Sequence, residues 1–146
     1  MDDTCLLDTS ALLAHYQEEP GHEIVDRLLE ERGGEVFISA ITWLEFHVRL
    51  KALIPDIPMR AEALAIYGEL LADCLPVTRE VAQAAFDLRD QIAERIPNAD
   101  VLIAATARLK GATLVHRDPH LALIPVKLVP QIVLPAKSQP ARARRR

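Results

Sequence analysis

Residues 97–118 read PNADVLIAATARLKGATLVHRD, and this stretch decides the fold class. Pro97, Asn98 and Ala99 lead into a helix with Asp100 in its first turn. The run that follows, residues 101–107, is apolar nearly all round, which is the pattern of a helix buried on every side. Gly111 supplies the stop, because glycine takes the left-handed conformation that commonly closes a helix. Directly afterwards the β-rich residues 113–116 predict a strand, with Asp118 just beyond its end. A buried helix feeding straight into a buried strand calls for a parallel sheet covered by helices on both faces.

The same alternation extends toward the N-terminus. Cys5-Leu6-Leu7 reads as a short buried strand that ends at Asp8-Thr9-Ser10. Apolar residues at helical spacing follow over 11–16 and again at Ile24, Val25, Leu28 and Leu29, with Pro20-Gly21 between the two stretches and Gly33-Gly34 closing the second. Val36-Phe37-Ile38 predicts a second strand. Ser39 or Thr42 can cap the next helix, which carries Leu44, Val48 and Leu50 and ends before Pro55. Residues 59–72 and 79–96 read as long helices, separated by Leu75-Pro76-Val77 as a brief strand or edge segment. Residues 126–134, interrupted by Pro130, supply a final edge strand. The expectation is a three-layer α/β domain over residues 1–136, with a central parallel sheet of four to five strands flanked by helices. Residues 137–146 form a basic tail with too little apolar surface to fold.

At 146 residues and half apolar, the chain has material for one core. The net charge of −4 hides an asymmetry: five of the 17 basic residues fall in KSQPARARRR at 137–146, where there is no acid. The body therefore sets 21 acidic residues against twelve basic ones, and its overall field would not attract nucleic acid. Nucleic-acid work would have to rest on local basic patches, on metal ions, or on the tail. Arg142, Arg144, Arg145 and Arg146 are read either as a solvated end or as an RNA-contacting arm. No apolar run approaches the roughly 20 residues that cross a bilayer, and the N-terminus is acidic where a signal peptide is positive. A cytoplasmic protein without a membrane role is expected. Cys5 and Cys74 lie in apolar contexts without CxxC spacing and are read as small core residues.

Ligands of open parallel sheets bind beyond the carboxyl ends of the strands, where strand order reverses. That rule selects Asp8 after the first strand, Asp118 after the late one, Asp100 at the start of the helix leading to it, and Glu45 near the start of the helix after the second. Singly, each has an ordinary explanation in turn, capping or solvated-face chemistry. Asp8 in LLDTSALL and Glu45 in ITWLEF, however, are embedded in apolar sequence, where an unpaired charge is costly. Few basic residues stand beside them, so a divalent cation is the simplest partner. His116, Asp118 and His120 spell H-x-D-x-H, but Pro119 breaks the alternation that would hold them on one face, and both histidines are read as incidental to metal binding. Trp43 is read as core rather than as a platform for a nucleic-acid base.

The blocks LLDTSALLA, SAITWLEF, PNADVLIAATA and GATLVHRDPHL, in this order over residues 4–121, resemble the PIN domain, and within it the VapC-type toxins of toxin–antitoxin pairs. The resemblance implies a metal-dependent endoribonuclease that hydrolyses RNA phosphodiester bonds. It places the family's four acids on Asp8, Glu45, Asp100 and Asp118, with Thr9 and Ser10 as supporting hydroxyls. His116 stands where these toxins usually carry Thr or Ser, a departure that an imidazole hydrogen bond can fill. Four carboxylates suit Mg²⁺ or Mn²⁺, which take hard oxygen ligands. Asp8, Asp100 and Asp118 are the expected direct ligands, with Glu45 a ligand or a water-orienting base. The resemblance further implies a homodimer and a small antitoxin as partner. Two alternatives use the same residues differently: a PIN-type nuclease in RNA or DNA processing, and a non-catalytic RNA-binding module, against which the intact acid set argues.

Overall fold

The computed structural model describes residues 4–137. Five strands and six α-helices follow one another as β1 (Cys5–Leu7), α1 (Thr9–Tyr16), α2 (His22–Arg32), β2 (Val36–Ser39), α3 (Ala40–Leu53), α4 (Ile57–Leu70), β3 (Asp73–Leu75), α5 (Arg79–Asp90), α6 (Asn98–Lys110), β4 (Thr113–His116) and β5 (Gln131–Val133). The sheet order is β3-β2-β1-β4-β5, and every pairing is parallel. The expected sheet of four to five parallel strands between helical layers is what forms.

Strand alternation explains the two cores. In β1, β2 and β4 successive side chains point to opposite faces. Leu7, Ile38 and Val115 accordingly join one core with Leu12, Val25, Leu29, Phe46, Leu50 and Tyr67. Leu6, Phe37 and Leu114 join the other with Leu88, Ile103, Ala104 and Leu121. Residues 103–107 of α6 are all buried, as an all-round apolar helix must be. Gly111 closes α6 at φ 71°, and the chain enters β4 two residues later.

Several boundaries differ from expectation for identifiable reasons. The helix expected to reach residue 96 stops at Asp90, because the Arg89 guanidinium turns the chain back by donating to Ile96 O at 2.7 Å and Asn98 Oδ1 at 2.8 Å. That turn lets Ile92 and Ile96 enter the core. β3 lies at 73–75 rather than 75–77, since Pro76 has no N–H to give the ladder. Cys74, expected in the core, is exposed: β3 is a short edge strand, and only Cys5 is buried. Trp43 packs partly buried against the first core, in line with its reading as a core residue.

From β1 the chain moves outward through β2 to β3 and then returns to the other side of β1 as β4. Strand order therefore reverses between β1 and β4. Asp8 and Asp118 stand just beyond their carboxyl ends.

Candidate metal centre

Asp8 caps α1 and is only 2% exposed. Its Oδ2 accepts from the Ser10 backbone N–H at 3.0 Å and from Ser10 Oγ at 2.7 Å, while its own N–H donates to Val115 O of β4 at 2.9 Å. Burial pushes the Asp8 carboxyl above its ordinary range, the Ser10 bonds pull it down, and nearby Asp118 pushes it up again. Ser10 also joins two parts of the site, since its Oγ accepts from Arg117 N at 3.0 Å and so ties the end of β1 to the loop after β4.

Glu45, in the second turn of α3, is reached by Thr9, whose Oγ1 donates to Glu45 Oε1 at 2.5 Å and lies 3.1 Å from Oγ1 of the buried Thr42. Asp100 sits in the first turn of α6, and its carboxyl is pushed up to about 6. Burial is the largest cause; Asp118, Asp8 and Glu45 add to it in that order after burial, and His120 opposes it. The four acids thus share one electrostatic neighbourhood.

Cations do not fill that neighbourhood. Arg117 is adjacent to Asp118 in sequence, yet its guanidinium pairs with Glu19, which also accepts from Gln17 Nε2 and sits 3.3 Å from Lys137 Nζ. Burial raises the Glu19 carboxyl, but the bonds and charges of Arg117 and Lys137 outweigh it and leave the group below its ordinary value. Among the described residues, the basic side-chain nitrogen within 4.0 Å of Asp100 and Asp118 is that of His120, not of an arginine or lysine. Clustered, partly buried carboxylates held apart from fixed cations form a hard-oxygen donor set that fits a divalent ion.

Of the supporting residues expected from sequence, Thr9 and Ser10 contact the acids directly. His116 does not touch a carboxylate; it lies fully buried beneath Asp118 and shapes the loop. Gln131 Nε2 donates to Ile124 O and Val129 O, which fixes its amide and leaves Oε1 to accept from His116 Nε2 at 2.8 Å. Nδ1 then accepts the Asp118 backbone N–H at 3.0 Å. The imidazole donates at one nitrogen and accepts at the other, so one tautomer satisfies the whole chain of bonds.

His120, read from the sequence as incidental to metal binding, lies beside two of the acids. One donor atom each from Asp100, Asp118 and His120 lies within 4.8 Å of the others. The signal is the Asp118-Pro119-His120 turn: His120 N donates to Asp118 Oδ1 at 2.7 Å, a local side-chain-to-backbone turn that returns residue 120 toward the acid. Arg142, Arg144, Arg145 and Arg146 lie outside the described residues.

Fold and site together define a parallel α/β protein with a carboxylate centre at its topological switch point. A family comparison matches the PIN domain over residues 5–127. The chain belongs to the PIN domain family, whose nucleases use divalent metal ions. Among solved structures it is similar to VapBC2 from Rickettsia felis bound to a DNA fragment from their promoter, at 20% identity over 90% of this chain and 99% of that one, TM-score 0.70. It is also similar to FitAcB from Neisseria gonorrhoeae, at 26% identity over 88% and 96%, TM-score 0.68. A third similar structure is VapC20 from Mycobacterium tuberculosis, described as a Sarcin-Ricin loop cleaving toxin, at 18% identity over 82% and 93%, TM-score 0.62. A sequence search of curated proteins gives no match. No helix among the described residues is long and apolar enough to cross a membrane.

Proposed function

We propose that this chain is an endoribonuclease toxin of the VapC type, hydrolysing RNA phosphodiester bonds with Mg²⁺ or Mn²⁺ and held in check by a small antitoxin. The observation that carries this reading is the convergence of Asp8, Glu45, Asp100 and Asp118 at the β1/β4 crevice, without an arginine or lysine to neutralise them among the described residues. When bound, a divalent ion supplies an activated water and offsets charge on the phosphate and leaving oxygen.

The protein's own part is positioning. Asp8, Asp100 and Asp118 are the proposed ligands. Glu45 has one carboxylate oxygen held by Thr9, leaving the other to serve as ligand or to orient water. Ser10 and His116 hold Asp8 and the Asp118 backbone in register. Flanking the acids, Arg49, Arg117 and Lys137 line one depression with Ser10 and Asp118, and Arg89, Arg95 and His120 line another with Asn98. Cations on either side of an acidic centre suit a polyanionic strand crossing it.

An antitoxin is supported by the similarity to toxin–antitoxin complexes. Exposed Leu44 and Val48 on α3 and Ile66 and Leu70 on α4 offer apolar surface to that partner or to a second copy in a homodimer. The test is cleavage of matched RNA and single-stranded DNA oligonucleotides with analysis of product ends. Metal-dependent hydrolysis of RNA alone, without 2′,3′-cyclic phosphate, is expected. Equal cleavage of DNA would favour the broader nuclease reading. Deleting residues 137–146 should weaken RNA binding and flatten its salt dependence while cleavage persists.

A further inference from the structure

We propose that His120 supplies a nitrogen ligand to the metal centre and thereby makes this site select Mn²⁺ over Mg²⁺. The inference rests on the reading that the four carboxylates bind a divalent ion.

His120 Nδ1 stands 3.5 Å from Asp118 Oδ1 and 3.7 Å from Asp100 Oδ2. A charge-assisted hydrogen bond would draw it to about 2.7–2.9 Å from one oxygen. Instead the nitrogen lies between the two carboxylates and bonds neither. Adjacent donors around an octahedral ion with bonds of about 2.1–2.2 Å are about 3 Å apart, and opposite donors about 4.3 Å. The three residues offer donor atoms within 4.8 Å of one another, which is close to that spread. Small side-chain movements would bring them onto one ion.

The placement is built into the chain. Pro119 fixes the backbone before His120, and the His120 N–H bond to Asp118 Oδ1 ties residue 120 to the acid whose ion it would share. With its side chain 52% exposed, the imidazole can turn toward the ion without breaking the core. His116, by contrast, has both nitrogens committed to Asp118 N and Gln131 Oε1, so the two histidines that flank Asp118 have separate roles.

The choice of ion follows from ligand chemistry. Mg²⁺ is a hard ion that favours oxygen and gives up its waters reluctantly, whereas Mn²⁺, a transition ion, accepts an imidazole nitrogen in place of water more readily. An all-carboxylate centre discriminates weakly between them. One imidazole tips the balance.

The experiment uses the metal-stripped full chain titrated with Mn²⁺ and, separately, Mg²⁺ by calorimetry, with pulsed electron paramagnetic resonance on the Mn²⁺ form. A ¹⁴N coupling is expected in the parent and its loss in His120→Ala. The variant's Mn²⁺ affinity should fall about tenfold or more, while Mg²⁺ affinity changes less than about threefold. His120→Asn, which offers an oxygen instead, should also lack the nitrogen signal and narrow the Mn²⁺/Mg²⁺ ratio. Equal unfolding temperatures in EDTA would establish that the variants remain folded. Mn²⁺ binding without ¹⁴N coupling, or coupling that persists in His120→Ala, overturns the role of His120 alone. Absence of any binding of either ion to the parent overturns the metal-centre reading and this inference with it.

Discussion

Replacing Asp100 by asparagine should stabilise the metal-free protein while disabling its site. The carboxyl is pushed up to about 6 from 3.8, first by burial and then by Asp118 and Asp8. An acid whose folded pKa lies above its unfolded value costs stability once pH passes the unfolded value, and the cost grows until pH passes the folded one. At about 1.4 kcal/mol per pKa unit the unscreened cost at pH 7 is about 3 kcal/mol; solvent screening of a half-buried carboxyl reduces it to about 1–2 kcal/mol, falling to well under about 1 at pH 4. Asparagine removes the buried charge and its repulsion by Asp118 and Asp8 but forgoes an acid in the first turn of α6, worth about 0.3–1 kcal/mol. The net gain at pH 7 is about 1 kcal/mol. Urea unfolding of parent and Asp100→Asn in EDTA at pH 7, 5 and 4 measures it. The gain should shrink as pH falls, because the parent's carboxyl then becomes protonated. Added Mn²⁺ should stabilise the parent by mass action and the variant far less. A variant no more stable than the parent in EDTA at pH 7, or a gain independent of pH, would refute the raised carboxyl of Asp100, to which burial contributes most and Asp118 and Asp8 next.

Thr9→Val keeps shape but removes the hydroxyl that holds Glu45 Oε1; cleavage should fall about tenfold or more, at a stability cost of about 1–2 kcal/mol, both measurable by initial rates and urea unfolding. Gln131→Leu deprives His116 of its acceptor and should lower metal affinity through the Asp118 loop, read by calorimetry, with Asp118 itself intact. Gly21→Ala should destabilise by about 2 kcal/mol or more in thermal unfolding, because φ is 94° and a Cβ there would meet Pro135 Cδ at 2.9 Å and Leu134 Cβ at 3.0 Å.

The acids are legible in the sequence because three of them stand where one-dimensional signals are strongest. Asp8 and Asp118 follow buried strands, and Asp100 opens an apolar helix, so a parallel sheet forces them to one edge. Glu45 is less distinct, and its placement depends on Thr9, 36 residues away, which periodicity cannot pair with it. His120 is set aside by a sequence reading that judges it by strand alternation alone, because Pro119 breaks that alternation and β4 has already ended at His116. In a turn, local hydrogen bonding decides direction. Arg117 is the opposite case: beside Asp118 in sequence, it spends its charge on Glu19, a contact across 98 residues. Cys74 looks like core from its neighbours, but edge position in the sheet, a property of topology, leaves it exposed.

The central claim is that the four carboxylates form a single metal-dependent nuclease centre. Cleavage of a mixed RNA pool by the parent chain and by Asp8→Asn, each with Mg²⁺, Mn²⁺ or EDTA, tests it most directly. Cleavage by the parent with metal, and its loss both in EDTA and in Asp8→Asn, is predicted; cleavage that persists unchanged in EDTA or in the variant would contradict it.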